Sequence, residues 1–92
     1  MIQTFRDADS EALFHRLVSH RWSGIARVAL RKLRLLHRAR SLQDLLAPPN
    51  NRLEKLKGDR AGQFSIRVND QYRICFRWEG SDAFEIELTD YH

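Results

Sequence analysis

Apolar positions along this chain change period partway through. In the first part they recur at helical spacing. Leu13, Phe14, Leu17 and Val18 fall on one face of a helix, and Ile25, Val28, Ala29, Leu33 and Leu36 on one face of a second. In the last part they alternate. Phe64, Ile66 and Val68 interleave with Ser65, Arg67 and Asn69; Tyr72, Ile74, Phe76 and Trp78 interleave with Arg73, Cys75, Arg77 and Glu79; Phe84, Ile86 and Leu88 interleave with Glu85, Glu87 and Thr89. A period of two marks half-buried strands of an antiparallel sheet.

Local signals punctuate this pattern. Ile2 to Phe5 reads as a short strand, and Asp7 or Asp9 caps the helix after it. Ser19 to Ser23 is a break, with Ser23 as the cap of the second helix. Ser41 and Asp44 have the spacing of a capping box opening a short helix, Leu42 to Leu46. Pro48 and Pro49 end it, since proline supplies no amide donor and disfavours helix in the residue before it. Arg52 to Leu56 is a further candidate strand, with Lys57-Gly58-Asp59-Arg60 as the turn after it. Asn69-Asp70 and Gly80-Ser81-Asp82 are tight-turn signals.

The expected architecture is a single α+β domain over residues 1–92, with two N-terminal helices packed on a twisted, mainly antiparallel sheet. The alternating apolar set faces the helices. The other sheet face carries Ser65, Arg67, Arg73, Cys75, Arg77, Glu85 and Glu87. Arg67 and Arg73 flank the Asn69-Asp70 turn and point to the same side. They either pair across strands with Glu85 and Glu87 or form a basic clamp that takes a phosphate between two guanidinium forks.

The net charge of +4 matters less than its distribution. No acid occurs from Ala12 to Gln43, a stretch holding Arg16, Arg21, Arg27, Arg31, Lys32, Arg34, Arg38 and Arg40. A charge run is ordinarily a solvated helix face. Here no acid is present to relieve the repulsion, and arginine is preferred over lysine, which suits bidentate phosphate contact. The stretch therefore points to an anionic partner, either nucleic acid or an acidic protein surface.

Other features narrow the class. No apolar run approaches the roughly 20 residues needed to span a bilayer, and the N-terminus lacks the apolar stretch of a signal peptide. The expected location is the cytoplasm, with no membrane partner. Cys75 is the sole cysteine, so no intrachain disulfide forms. The histidines (His15, His20, His37 and His92) are scattered, so neither a zinc site nor any other cofactor is expected. No GxxxxGK[ST] loop, G-x-S-x-G elbow or HExxH site supports nucleotide hydrolysis, acyl transfer or metalloprotease chemistry.

The last strand runs into Asp90-Tyr91-His92. Such a tripeptide is ordinarily a frayed end, yet it combines three groups useful in cutting RNA. Histidine donates or accepts a proton near neutral pH. Aspartate orients it or acts as a base, and tyrosine offers a ring on which a nucleobase stacks. Strict alternation puts Tyr91 on the open sheet face and its two neighbours on the other. Metal-independent RNA cleavage needs a proton acceptor for the 2′-hydroxyl, a proton donor for the leaving 5′-oxygen and fixed positive charge on the phosphorane. Asp90, His92, Lys57, Arg67 and Arg73 meet those needs.

The segment from Asn51 to Phe76, N-R-L-E-K-L-K-G-D-R-A-G-Q-F-S-I-R-V-N-D-Q-Y-R-I-C-F, resembles the core of the HigB branch of the RelE toxins. The likeness rests on L-K-G-D-R, the S-I-R-V-N-D-Q-Y-R hairpin and the terminal D-Y-H, and extends over nearly the whole chain. It implies the RelE-like microbial RNase fold and the toxin of a type II toxin-antitoxin system. Such a toxin is an endoribonuclease that cuts mRNA in the ribosomal A site, leaves a 2′,3′-cyclic phosphate and arrests translation and growth. The implied partners are a helix-turn-helix, HigA-like antitoxin, the ribosome with its mRNA, and operator DNA only through the antitoxin complex. Lys57 and Arg73 match basic positions of the family's active site, and Asp90, Tyr91 and His92 match its terminal catalytic group. Arg67 is added from strand parity. Arg27, Arg31, Arg34 and Arg38 are assigned to docking on ribosomal RNA. The chain departs from some relatives at Glu54, where they carry a histidine three residues before the lysine. The rival functions are a non-catalytic RNA- or antitoxin-binding module of this fold and a gyrase-inhibiting toxin of this fold. Translation-dependent mRNA cleavage and a supercoiling assay separate them.

Overall fold

A computed structural model describes residues 1–15, 22 and 24–90. Helix α1 is Ala8–Phe14 and helix α2 is Ala26–Arg38. The strands are β1 (Glu54–Lys55), β2 (Phe64–Arg67), β3 (Tyr72–Glu79) and β4 (Asp82–Asp90). They form one antiparallel sheet in sequence order, β1-β2-β3-β4. Asp7 caps α1, its carboxylate accepting the Ser10 amide at 2.7 Å. Ile25 stands at the N-cap of α2 with no side-chain bond. The expected cap Ser23, and Leu17 and Val18 of the first helix face, lie outside the described residues.

The N-terminal segment runs parallel to β4 through bridges at Ile2–Ala83 and Phe5–Ile86, with Gln3 N–H donating to Ala83 and Arg6 N–H to Ile86, each at 2.8 Å. Ser41 and Asp44 close their capping box over a 3₁₀ turn, Leu42–Leu46. Between the helices and the sheet, Leu33, Leu36, Ile66, Ile74, Phe76, Ile86 and Leu88 are buried in one cluster. Trp22 joins it, its ring edge-on to Tyr72 at 5.6 Å.

Three expectations need correction. Phe84 does not alternate with Ile86 and Leu88 on the core face. The β3–β4 register steps between Cys75 and Arg77, so Phe84 stands opposite Arg77 and Ala83 opposite Trp78. An extra residue on β4, with Glu85 at φ 53°, flips the parity of the strand's first half. Ala83 is fully buried in Phe84's stead. The strand expected over Arg52 to Leu56 shrinks to Glu54–Lys55. Pro49–Asn51 forms another 3₁₀ turn, and Arg52 after it is left-handed at φ 45°, outside any ladder. Lys32, counted with the solvated bases of α2, is buried. Its ammonium donates to the amide oxygen of Asn51 and, at 3.4 Å, to that of Asn50.

Asn51 is a fully buried post under this turn, its amide also donating to the carbonyls of Leu45 and Ala47 at 3.2 Å each. Asn51→Ala is expected to cost about 3 kcal/mol, since a buried ammonium and two carbonyls lose their partner at once. A urea midpoint within error of the parent counts against that role. Burial first, then the charges of Arg31 and Arg67, push the Lys32 ammonium below its usual 10.5. A lysine with a folded-state pKa below its unfolded value costs stability wherever it is protonated in both states. That cost is relieved as pH rises through the lowered value towards 10.5. Among the described residues no helix is long and apolar enough to cross a membrane.

Candidate functional site

Two groups of basic residues stand out, one on α2 and one on the sheet. On α2, Arg27, Arg31, Arg34 and Arg38 are exposed and recur at intervals of four, three and four residues, forming one stripe. The opposite helix face, Ala29, Leu33 and Leu36, is fully buried, so the apolar stripe aims the arginines outward.

The second surface is the sheet face turned away from the helices. Its residues follow from the ladder. Arg67 is the register partner of Arg73, and Arg73 of Thr89. Two residues along, Glu54, Ser65, Cys75 and Glu87 form the next row with the same orientation. The expected pairing of Arg67 with Arg73 on one side therefore holds. The face is not open at its centre, however: Ser65 and Cys75 are fully buried. The Arg73 side chain is 13% exposed. Its Nε donates to the Ser65 hydroxyl at 2.7 Å, and its Nη2 donates to the Arg52 carbonyl at 2.7 Å. The left-handed turn at Arg52 leaves that carbonyl as one of the guanidinium's anchors. The Glu54 carboxylate sits 3.7 Å from the same Nη2. Arg73 is thus a guanidinium aimed by two neutral acceptors and one half-exposed carboxylate.

The remaining charges pair in other ways than alternation alone suggested. Arg67 is held by Asp70 across its own turn, and Glu85 pairs with Arg77. The Arg77 guanidinium lies across Gly62, where a Cβ would stand 2.9 Å from Nη1. Glu87 receives Arg60 at 3.0 Å and Arg6 at 3.8 Å. Burial pushes the Cys75 thiol up, with Arg60 and Glu87 as opposing smaller influences, so this cysteine is an inert core group rather than a nucleophile. Among the described residues no group of His, Cys, Asp or Glu converges to hold a metal ion.

The other expected site residues are placed as follows. Lys57 is exposed just beyond β1, at the start of the Gly58–Arg60 turn. Asp90 is the register partner of Tyr72, hence on the alternate side from Thr89 and Arg73, and Gln71 donates to its carboxylate at 3.2 Å. Tyr91 and His92 lie outside the described residues. The ladder thus puts Arg67, Arg73 and Glu54 on one face and turns Asp90 to the alternate side of β4. Sequence reasoning missed Ser65 and the Arg52 carbonyl as the holders of Arg73, and Arg6 and Arg60 as partners of Glu87. Arg60 lay within L-K-G-D-R, but only the β1–β2 register shows what that turn overhangs.

A sequence profile of HigB-like toxins, described as the RelE-like toxin of the type II toxin-antitoxin system HigB, matches residues 3–92. Toxin HigB-1 of Vibrio cholerae is 47% identical over 74 residues, 80% of this chain and 75% of that protein. The Endoribonuclease HigB of Proteus vulgaris is 44% identical over 41 residues, 45% of each chain. Among solved structures, a YoeB/ParE toxin from Agrobacterium tumefaciens superposes with a TM-score of 0.57 at 20% identity, covering 98% of this chain and 99% of its own. A chain of the YoeB-YefM complex from Staphylococcus aureus gives 0.55 at 16% identity, covering 100% and 98%. The structural likenesses establish the two-helix, four-strand α+β fold. The profile match over almost every residue, joined to the identity with the Vibrio toxin, places the chain in the HigB-like toxin family, the RelE-like toxins of type II toxin-antitoxin systems.

Proposed function

We propose that the protein is an endoribonuclease toxin that cuts mRNA in the ribosomal A site and is neutralised by a cognate helix-turn-helix, HigA-like antitoxin. The observation that carries this reading is Arg73, a guanidinium held by the Ser65 hydroxyl and the Arg52 carbonyl on a basic sheet face. A fixed cation whose position does not depend on substrate is what stabilisation of a phosphorane requires. The named activity of the Proteus relative supports the same reaction class.

In the proposed reaction the 2′-hydroxyl attacks the adjacent phosphate, giving a 2′,3′-cyclic phosphate and a free 5′-hydroxyl. Arg73 and Lys57 supply positive charge, and Arg67 adds a contact to the RNA backbone. Asp90 and His92 supply proton transfer, and Tyr91 offers a stacking surface. The α2 stripe of Arg27, Arg31, Arg34 and Arg38 docks on ribosomal RNA, because a domain this small gains orientation of its substrate from the larger particle. Operator DNA is met only through the antitoxin complex, in the cytoplasm.

The test compares naked mRNA with mRNA on programmed ribosomes, using purified protein. Cleavage is expected only on ribosomes, with cyclic phosphate ends and a block by a 2′-deoxy nucleotide at the scissile position. Equal cutting of naked mRNA removes the ribosome from the reading. Inhibition of supercoiling without RNA cleavage replaces it with a gyrase toxin.

The docking stripe makes its own prediction. Reversing Arg27, Arg31, Arg34 and Arg38 to glutamate is expected to weaken ribosome binding and flatten its dependence on salt, by roughly 0.7–0.9 in logarithmic slope for each phosphate no longer neutralised. Unchanged affinity across a salt titration assigns the stripe to plain solvation.

A further inference from the structure

Resting on the reading above, we propose that Lys32 and Asn51 are positioning residues of cleavage: they lock the turn that presents the Arg52 carbonyl and thereby set the aim of Arg73. That carbonyl is the near partner of Arg73 Nη2, at 2.7 Å. The other Nη2 contacts among the described residues are the Ser65 carbonyl at 3.5 Å and the Glu54 carboxylate at 3.7 Å, too long to fix it. The near carbonyl belongs to a residue in the left-handed region, Arg52 at φ 45° and ψ 56°. A residue with a Cβ is strained there and stays only where its surroundings over-determine it.

Those surroundings lie just upstream. Arg52 N–H donates to the Pro49 carbonyl at 3.2 Å and Asn51 N–H to the Pro48 carbonyl at 3.0 Å, closing the turn. The buried Asn51 side chain uses both ends of its amide. Its nitrogen donates to the Leu45 and Ala47 carbonyls, and its oxygen accepts the Lys32 ammonium. Charge and burial both strengthen that last bond. Lys32 belongs to α2, whose Leu33 and Leu36 are packed in the core, so the turn is tied to a rigid element. The same helix carries the arginine stripe, and so links orientation on the ribosome to the aim of the guanidinium. Without the ammonium, Asn51 loses its hold on α2. Arg52 then relaxes toward extended backbone, its carbonyl turns from Nη2, and the guanidinium pivots on the bond from Nε to Ser65. Lys32 and Asn51 are themselves buried, so they act through Arg73 and not on the RNA.

The experiment is a double-mutant cycle in single-turnover cleavage of mRNA on programmed ribosomes, counted per folded molecule of the full chain. Lys32→Met keeps the length of the side chain and removes its charge. It is expected to slow the chemical step by roughly 10²-fold, the cost of a misplacement of about 1 Å, with ribosome affinity unchanged. In an Arg73→Ala background the same substitution is expected to cost nothing further, because no guanidinium remains to be aimed. A parental rate for Lys32→Met overturns the proposal, and so does an equal loss in both backgrounds, which makes Lys32 structural only. A second readout needs neither ribosome nor the double variant. Rotation of the Arg73 guanidinium about its Nε–Cζ bond, followed by ¹⁵N NMR on the free protein, is expected to be slow in the parent and severalfold faster in Lys32→Met. Equal rotation in the two proteins also overturns the proposal. Failure of the toxin reading looks different: the parent chain itself then leaves ribosome-bound mRNA intact, while the rotation measurement still reads the link from Lys32 to Arg73.

Discussion

Arg73→Ala is expected to slow cleavage on ribosomes by on the order of 10²-fold or more, because a preorganised charge on the phosphorane is commonly worth ~3 kcal/mol. It also weakens the fold. The side chain is mostly buried, and its removal leaves the Ser65 hydroxyl and the Arg52 carbonyl without their donor. A buried acceptor left unpaired costs about 1–3 kcal/mol. At about 4–8 °C per kcal/mol for a domain of this size, the melting temperature falls visibly. The two effects separate by measuring cleavage well below the variant's melting temperature, per folded molecule. Arg73→Lys sharpens the distinction: an ammonium keeps the charge but cannot reach three acceptors in the fixed fork of a guanidinium. It is expected to recover part of the rate and little of the stability. A full parental rate per folded Arg73→Ala molecule makes Arg73 a purely structural residue.

Much of this arrangement was legible in the alternation of β2 and β3. Parity placed Arg67 and Arg73 on one face, and the ladder pairs them directly. Parity could not give their partners. Arg73 is held by a residue of β2 and by a backbone carbonyl in the irregular stretch after Pro49, and such a stretch has no period to read. The Phe84 error has a related cause. A bulge adds one residue without any gap in the apolar pattern, so Phe84 and Ile86 look equivalent while facing opposite sides. Lys32 misled in another way, since its hydrophilic type fits a solvated stripe. Only the fold shows Asn51 beneath it supplying an acceptor. Of the candidate site, the cations were recoverable from strand parity and motif. Glu54 stood out in the sequence only as a departure from relatives ahead of L-K-G; its place beside Arg73 came from the β1–β2 register, which no single segment of sequence carries.

His92 provides the other large expected effect. It follows the last residue of β4 by two positions, and the described ladder of β3 and β4 closes at Tyr72–Asp90. If it serves only as a polar tail, His92→Gln changes nothing measurable. If it protonates the leaving 5′-oxygen, the substitution removes a proton-transfer contribution of roughly 10²–10⁴-fold. His92→Gln is therefore expected to melt with the parent, bind the antitoxin with parental affinity and fail to arrest growth. Its single-turnover rate on ribosomes is expected to fall by that factor. Glutamine retains hydrogen bonding, so removal of a polar interaction alone does not reproduce the effect. The rate also distinguishes an acid from a base. A missing acid is bypassed when the leaving oxygen is made a better leaving group, whereas a missing base is not. An RNA carrying a 5′-thio linkage at the scissile phosphate is thus expected to restore much of the His92→Gln rate. Parental cleavage of ordinary mRNA by His92→Gln takes His92 out of the mechanism and passes the acid role to Asp90, Lys57 or Tyr91.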